Sequence, residues 1–290
     1  MASVIFSKSS DVNNSIFGKS QEPVRAVITQ GVESFEAKSL LSTVYSMDTS
    51  TSFAEKYTSE TSLGDFEDVG ENGAYPKASM QEGFAKVIEP TTWKSSFEVT
   101  QELVEDGKFG KMKSRASIFT TSYNRTRGAK LAQANCFTGA FSVEMLDKVQ
   151  EAMQGFMDDD GNLLNVTPNT IVIPNVGSLK RAVLAAVGSD LDPETNNNAM
   201  NFQAGLWNVC VWNYLPKTIG GKPFFLMMDT DFKEDYECMP WVDRVKLTVR
   251  SEIDPNTDAN VFRGRARFGA GFNNWRCIAL CGEGVSGKTL

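Results

Sequence analysis

The sharpest chemical pattern lies at the C-terminal end, where GEGVSGKT (282–289) matches the phosphate-loop spacing G-x-x-x-x-G-K-[ST], with Gly282, Gly287, Lys288 and Thr289 in register. In such a loop the backbone amides and the positive end of a following helix hold the phosphates, and an acid from elsewhere completes a magnesium site. Only Leu290 follows Thr289. With no room for that helix, 282–290 is read as a flexible Gly-rich tail, and truncation after Cys281 should be tolerated. Magnesium-dependent ATP binding would instead favour a nucleotide protein. DDDGN (158–162) resembles a calcium loop, but setting Gly161 at the sixth position puts Phe156 first and Thr167 twelfth, neither of which supplies a carboxylate. A solvated turn is the better reading. Adjacent acids such as Glu67–Asp68 and Glu105–Asp106 read as hydrophilic loops, and no catalytic residue is assigned. Arg263, Arg265 and Arg267 lie on one side of an alternating segment. No aromatic interleaves with them on that side, which favours protein–protein or intrachain ion pairs over nucleic-acid phosphates.

Composition narrows the chemistry further. The 290 residues include no histidine, which removes the usual general base near neutral pH, the commonest zinc ligand and every His-dependent nucleophile arrangement. Lys plus Arg against Asp plus Glu gives 29 − 36 = −7, an acidic balance unlike that of proteins built to grip nucleic acid. Five scattered cysteines (Cys136, Cys210, Cys238, Cys277, Cys281) form no disulfide framework and no metal-ligand spacing, so no cofactor and no metal are expected. The longest apolar stretches, such as Ala182–Val187 and Phe224–Met228, fall far short of the roughly 18 residues that suggest a membrane span. MASVIFSKSS lacks the marks of a secretory signal, so a cytosolic origin is expected.

Any such chemistry must be positioned by recognisable elements. Residues 1–30 read as an extended arm, and Val32, Phe35, Leu41, Val44 and Tyr45 fit one face of a short helix. Residues 51–99 read as a long hairpin, outward over Thr51–Tyr57 and returning over Phe84–Val99 around a tip holding Gly64, Gly70, Gly73 and Pro76. Thr100 is placed to cap a helix carrying Glu102, Glu105 and Asp106. A longer helix runs from Lys111 to about Asn135 with Met112, Ala116, Phe119 and Tyr123 on one side. Next comes a helix from Val143 to about Phe156, capped by Ser142 and stapled by Phe141 to Leu146. Strands are expected at TPNTIVIPN (167–175), Leu206–Leu215 and Pro223–Met228, with a helix over Leu179–Val187. Near the end Val245, Leu247, Val249 and Ile253 alternate with Lys246, Thr248, Arg250 and Glu252, and Phe262, Ala266 and Phe268 alternate with the three arginines. A closing strand is expected over Trp275–Cys281. Charge is unevenly spread along this order. Residues 51–75 hold six acids and one base, 1 − 6 = −5, whereas 111–130 hold six bases and no acid.

The order and spacing of these pieces resemble the major capsid proteins of tailed bacteriophages, with their Hong Kong 97 type fold. The likeness is carried by GENGAYPKASMQEGFAKVIEPTTWKSSFEVTQELVEDGKFG (70–110), SYNRTRGAKLAQANCF (122–137), DDDGNLLNVTPNTIVIPN (158–175) and FRGRARFGAGFNNWRCIAL (262–280), and covers about 32–281. It implies an α+β chain with an N-terminal arm (1–50), an extended loop (51–99), a peripheral domain with a long spine helix (100–160 with 245–281) and an axial domain (161–244). The function it implies is a self-assembling, non-enzymatic shell of pentamers and hexamers that encloses viral double-stranded DNA without reading its sequence. Assembly would take place in the host bacterial cytoplasm, with scaffold, portal and decoration proteins as candidate further partners and no membrane. A nanocompartment of encapsulin type, with the same fold and protein cargo, is the alternative. In such shells the extended loop lies across a neighbour's peripheral domain, so Asp65, Glu67, Asp68 and Glu71 are expected to meet Lys111, Lys113, Arg115, Arg125, Arg127 and Lys130 of an adjacent subunit, with Arg263, Arg265 and Arg267 as further interface residues. Lys77 and Lys86 lie where some relatives crosslink, but no partner residues can be assigned and no crosslink is claimed.

Overall fold

The computed structural model describes residues 21–60, 82–106, 108–128, 135–157, 161, 163–189, 200–257 and 259–289. In chain order the elements are α1 (Gln21–Glu36), α2 (Leu41–Val44), β1 (Ser46–Thr49), β2 (Glu55–Glu60), β3 (Glu82–Ile88), β4 (Thr91–Val99), α3 (Gln101–Glu105), α4 (Phe109–Gly128) and β5 (Asn135–Thr138). They continue with α5 (Val143–Gln154), β6 (Thr170–Pro174), α6 (Gly177–Gly188), β7 (Asn208–Trp212), β8 (Phe224–Met228), α7 (Thr230–Asp235), β9 (Pro240–Ile253), β10 (Asn260–Ala270), β11 (Ile278–Gly282) and β12 (Lys288–Thr289). Among the described residues the strands form three sheets: β1-β9-β10-β4, β12-β5-β11-β8-β6-β7, and the pair β2-β3.

The six-stranded sheet is built from runs that can be buried on both faces. β6 (TIVIP), β8 (FFLMM) and β11 (IALCG) are buried at every position, as continuous apolar runs require. α5 covers this core with Met145, Leu146, Val149 and Met153 at helical spacing, and Ser142 Oγ accepts from the Met145 N–H at 3.0 Å, the expected cap. Phe141 stands edge-on to Phe225 of β8 at 5.1 Å between ring centroids and packs against the same core as Leu146. Asp229 caps α7 by accepting from the amides of Asp231 and Phe232, and it also accepts from Thr167 N at 2.7 Å.

Among the described residues the four-stranded sheet carries helices on one face. Phe262, Ala266 and Phe268 of β10 are buried, and Met112, Ala116 and Phe119 of α4 pack with Val24, Val27 and Ile28 of α1 and with Phe262 in a second core. Gly264 makes this packing possible: a β-carbon there would stand 2.3 Å from Phe119 Cζ, so no larger residue fits without displacing the ring. The opposite face, with Arg263 and Arg265, is exposed.

Several expectations are corrected. Residues 21–30, placed in the extended arm, are helical and supply Val24, Val27 and Ile28 to the second core. The helix expected over 32–45 is two helices, parted at Ala37–Leu40, where Ser39 Oγ accepts the Leu41 amide. The returning arm of the hairpin splits at Glu89–Pro90, since Pro90 has no N–H for either ladder. β3 pairs with β2, while β4 joins β10, with Trp93 stacked on Phe268 and Phe97 on Phe262. Thr100 sits at an N-cap but its side chain makes no cap bond. The long helix ends at Gly128, and Asn135 belongs to a strand. The boundaries 100–160 with 245–281 and 161–244 also shift: β5 and β11 are bonded into the six-stranded sheet, together with β6, β7 and β8, and not into the sheet of β9 and β10.

The tail is corrected most. β12 pairs in parallel with β5, Lys288 opposite Phe137 and Thr289 opposite Thr138. Thr138 Oγ1 donates to Val285 O at 2.8 Å, Val285 is buried, and Lys222 pairs with Glu283 at 3.0 Å. Two amides that a phosphate would need are already used, Val285 N by Gly282 O and Gly287 N by Thr138 Oγ1. Residues 282–289 therefore form a sheet edge, and the phosphate-loop match is one of spelling only.

Candidate subunit-interface surfaces

Arg127, expected on the interface, is interior. Its side chain is only 2% exposed. Nη2 donates to Asp243 Oδ2 at 2.8 Å, and Nη1 donates to Tyr123 Oη at 3.0 Å and to Glu36 Oε1 at 3.3 Å. The guanidinium carbon also lies 5.4 Å from the Trp241 ring centroid and 5.7 Å from those of Tyr123 and Phe268. Burial works against its charge, but Tyr123, Asp243 and Glu36 outweigh that and hold the pKa above the ordinary arginine value. Trp241 Nε1 donates to the other Asp243 oxygen at 3.0 Å. Arg127 thus ties α4 to β9 and to the end of α1, a role that sequence cannot separate from that of its exposed neighbours.

The remaining bases of α4 do not form one patch. Lys111, Lys113, Arg115 and Arg125 are exposed. At about 100° per residue, Lys111, Arg115 and Arg125 fall within about 80° of one another on the side away from the buried stripe, with Arg125 more than two turns further along the helix, and Lys113 borders the stripe. Arg115 also donates to the Glu98 carbonyl. Lys130, Asp65, Glu67, Asp68 and Glu71 lie outside the described residues.

A denser cationic surface covers the outer face of the four-stranded sheet. Arg263 is directly opposite Arg250 on β9 and Ser96 on β4, and Arg265 is opposite Thr248 and Lys94. These six side chains line a concavity of about 420 Å³. Like charges placed directly across a ladder repel, so the fold carries a local cost here. Glu252 relieves part of it through Arg263 Nη1, at 2.6 Å between groups that are both 62% exposed. Arg267, expected in the same stripe, is half-buried and donates to Pro90 O at 3.3 Å, which fixes the base of the hairpin. The sequence pattern places Lys246 and Arg250 on a polar strand face; Lys94 gives no such signal, because its place beside Arg265 depends on strand pairing.

The described residues show no group of three or more His, Cys, Asp or Glu side chains able to hold a metal. Burial pushes the thiols of Cys136, Cys210, Cys277 and Cys281 up, which disfavours thiolate chemistry. Exposed apolar residues are instead grouped. The segment 200–206 is held to the end of α6 by Asn201 Nδ2 donating to Ala186 O and Ser189 O, and it exposes Met200, Phe202 and Leu206. Such patches mark association surfaces more often than pockets for small molecules.

A family model described as phage capsid protein matches residues 83–280, more than half of the chain. The chain belongs to the phage capsid protein family. The fold agrees. A virus-like particle protein from Pyrococcus furiosus superposes with a TM-score of 0.54 at 13% identity, over 90% of this chain and 98% of that one. The capsid of the Myoviridae phage XM1 gives 0.55 at 8% identity, over 84% and 91%. The capsid of a native GTA particle gives 0.53 at 12%, over 83% and 88%. No curated relative matches the chain by sequence. This capsid-family chain has the Hong Kong 97 type α+β fold and a structural role as a capsid protein.

Proposed function

We propose that this capsid protein is the major shell subunit of a tailed-phage head, assembling with copies of itself into pentamers and hexamers that close around double-stranded DNA. The observation carrying the reading is the family match over 83–280 on a fold shared with shell proteins along most of their length. The physics agrees: exposed apolar groups, the separate two-stranded sheet β2-β3 and a cationic sheet face are surfaces suited to contacts between copies. The sheet of β9, β10 and β4 with α4 serves as the peripheral domain and the six-stranded unit as the axial domain. The acidic segment with Asp65, Glu67, Asp68 and Glu71 contacts a neighbouring subunit's cations, and scaffold, portal and decoration proteins are further partners. Assembly takes place in the bacterial cytoplasm.

The near-complete overlap with a virus-like particle protein favours a second reading, a shell without a viral genome. Electron microscopy of the chain expressed alone tests both. Capsomers or closed shells are expected, and monomers under all conditions would contradict either reading. Particles produced during infection and filled with duplex DNA support the head, and a small uniform shell filled with protein supports the compartment.

A further inference from the structure

The outer face of the four-stranded sheet holds a cleft whose side chains are set by strand register. Across β9, β10 and β4 one row reads Arg250, Arg263, Ser96 and the next reads Thr248, Arg265, Lys94. The two short hydroxyl residues stand at diagonally opposite corners, and the residue between the rows on β10 is Gly264. Four long cations thus rise around a low floor and line the concavity of about 420 Å³, within the range of roughly 300–1,000 Å³ that ligand clefts occupy. We propose that this cleft binds a small condensed phosphate, a polyanion of the di- or triphosphate class. The site belongs to the single subunit and goes beyond the shell reading without resting on it.

Three features select that ligand. The cations are uncompensated: among the described residues Lys94, Arg250 and Arg265 form no ion pair, and the pair of Arg263 with Glu252 uses one guanidinium nitrogen, at 2.6 Å. Like charges directly across a ladder repel, and the Arg250–Arg263 and Lys94–Arg265 oppositions set two such pairs in neighbouring rows. An anion carrying several charges on linked groups answers all four cations at once, and planar guanidinium forks match phosphate oxygens in pairs. The lining also lacks any apolar side chain, since besides the cations it consists of Ser95, Ser96, Thr248 and Gly264. Protein partners dock through apolar or aromatic anchors inside a polar rim, and this cleft offers no seat for such an anchor. Duplex DNA suits it less well than a small anion. The cations form a compact cluster over two register rows, and the adjoining row of Glu252, Val261 and Glu98 places two acids at one end where a basic stripe would have to continue.

The test uses the full chain, kept unassembled at low concentration, with sodium tripolyphosphate as the probe. Isothermal titration calorimetry should show saturable binding at low salt that weakens as salt rises. R250T/R265T, checked for folding by circular dichroism, should bind at least about tenfold more weakly, whereas K111T/K113T on the helix should bind as wild type does. Melting separates a ligand site from a structural feature. Tripolyphosphate should raise the Tm of wild type but not of R250T/R265T, and without the anion this variant should melt no lower than wild type, because it has lost a repulsion. Lysine acetylation read by mass spectrometry needs no variant: tripolyphosphate should protect Lys94 and leave Lys111 as reactive as before. Absence of binding, equal weakening by the helix substitutions, or a destabilised R250T/R265T with unchanged affinity would overturn the proposal. Tighter binding of a short DNA duplex than of tripolyphosphate at equal phosphate concentration would also overturn it and reassign the cleft to nucleic acid. None of these outcomes bears on the shell reading, which electron microscopy tests.

Discussion

Replacing Arg127 by Met removes a buried cation while keeping most of its volume and its contact with Tyr123, Trp241 and Phe268. The cost follows from what is left behind. Asp243 has a side chain only 9% exposed and loses its 2.8 Å partner, retaining the Trp241 Nε1 bond at 3.0 Å. Breaking a buried ion pair from one side typically costs about 3–5 kcal/mol, and the surviving indole bond argues for the lower end, about 3 kcal/mol. Glu36 is 41% exposed, so its share is that of a surface pair, below about 1 kcal/mol. Urea denaturation of the unassembled subunit, at concentrations too low for mass action to contribute, gives these values directly. The expected order is Arg127→Met well below Glu36→Gln, with the double variant Arg127→Met/Asp243→Asn recovering a large part of the loss, because no unpaired charge then remains buried. Equal costs for Arg127→Met and Glu36→Gln, or a double variant no better than Arg127→Met alone, would refute the argument that Arg127 acts from inside the subunit.

Other predictions concern packing and protonation. Truncation after Cys281 should destabilise the subunit by about 2 kcal/mol or more, since it removes the buried Val285 and opens the β5 edge; an unchanged Tm would restore the flexible-tail reading. Gly264→Ala should cost about 1–3 kcal/mol by overpacking against Phe119, and adding Phe119→Leu should recover part of it; denaturation midpoints decide. Burial raises the pKa of the Cys136, Cys210, Cys277 and Cys281 thiols and of the Tyr45, Tyr57 and Tyr123 phenols. Above the unfolded values, about 8.5 and 10, the unfolded chain therefore loses protons that the native chain keeps, and stability falls as pH rises, first through the thiols and then the phenols. Denaturation at pH 7, 8.5 and 10 should show this alkaline decline, and a flat profile would refute it.

The sequence reads well wherever one periodicity settles one element. Ser142 with Leu146, Val149 and Met153 predicts α5 within two residues at its C-terminal end, and the alternation around Arg263 predicts β10 with its buried face, whereas on β9 Val245, Leu247 and Val249 are half-buried and Ile253 is exposed. It fails wherever the answer depends on a distant partner. Residues 84–99 are a uniform strand-like run, and only Pro90 and the aromatic stacks with β10 divide them between two sheets. Arg125 and Arg127 are equally basic neighbours, yet the second meets Asp243, 116 positions away, and is buried. GEGVSGKT shows the same limit: its amides pair with Gly282 and Thr138, so a nucleotide motif becomes a sheet edge. Cationic residues follow suit. Arg263 and Arg265 are visible in one strand, but their confrontation with Arg250 and Lys94 exists only in the register of three strands.

The central claim is that this fold is a shell subunit whose function lies in contacts between copies. A three-dimensional reconstruction of particles formed by the full chain tests it most directly. The account predicts a closed icosahedral lattice in which every subunit position accepts the fold of the described residues, with β2-β3 lying against a neighbour. Particles whose density requires a different subunit fold, or a chain that stays monomeric whenever it is folded, would contradict it.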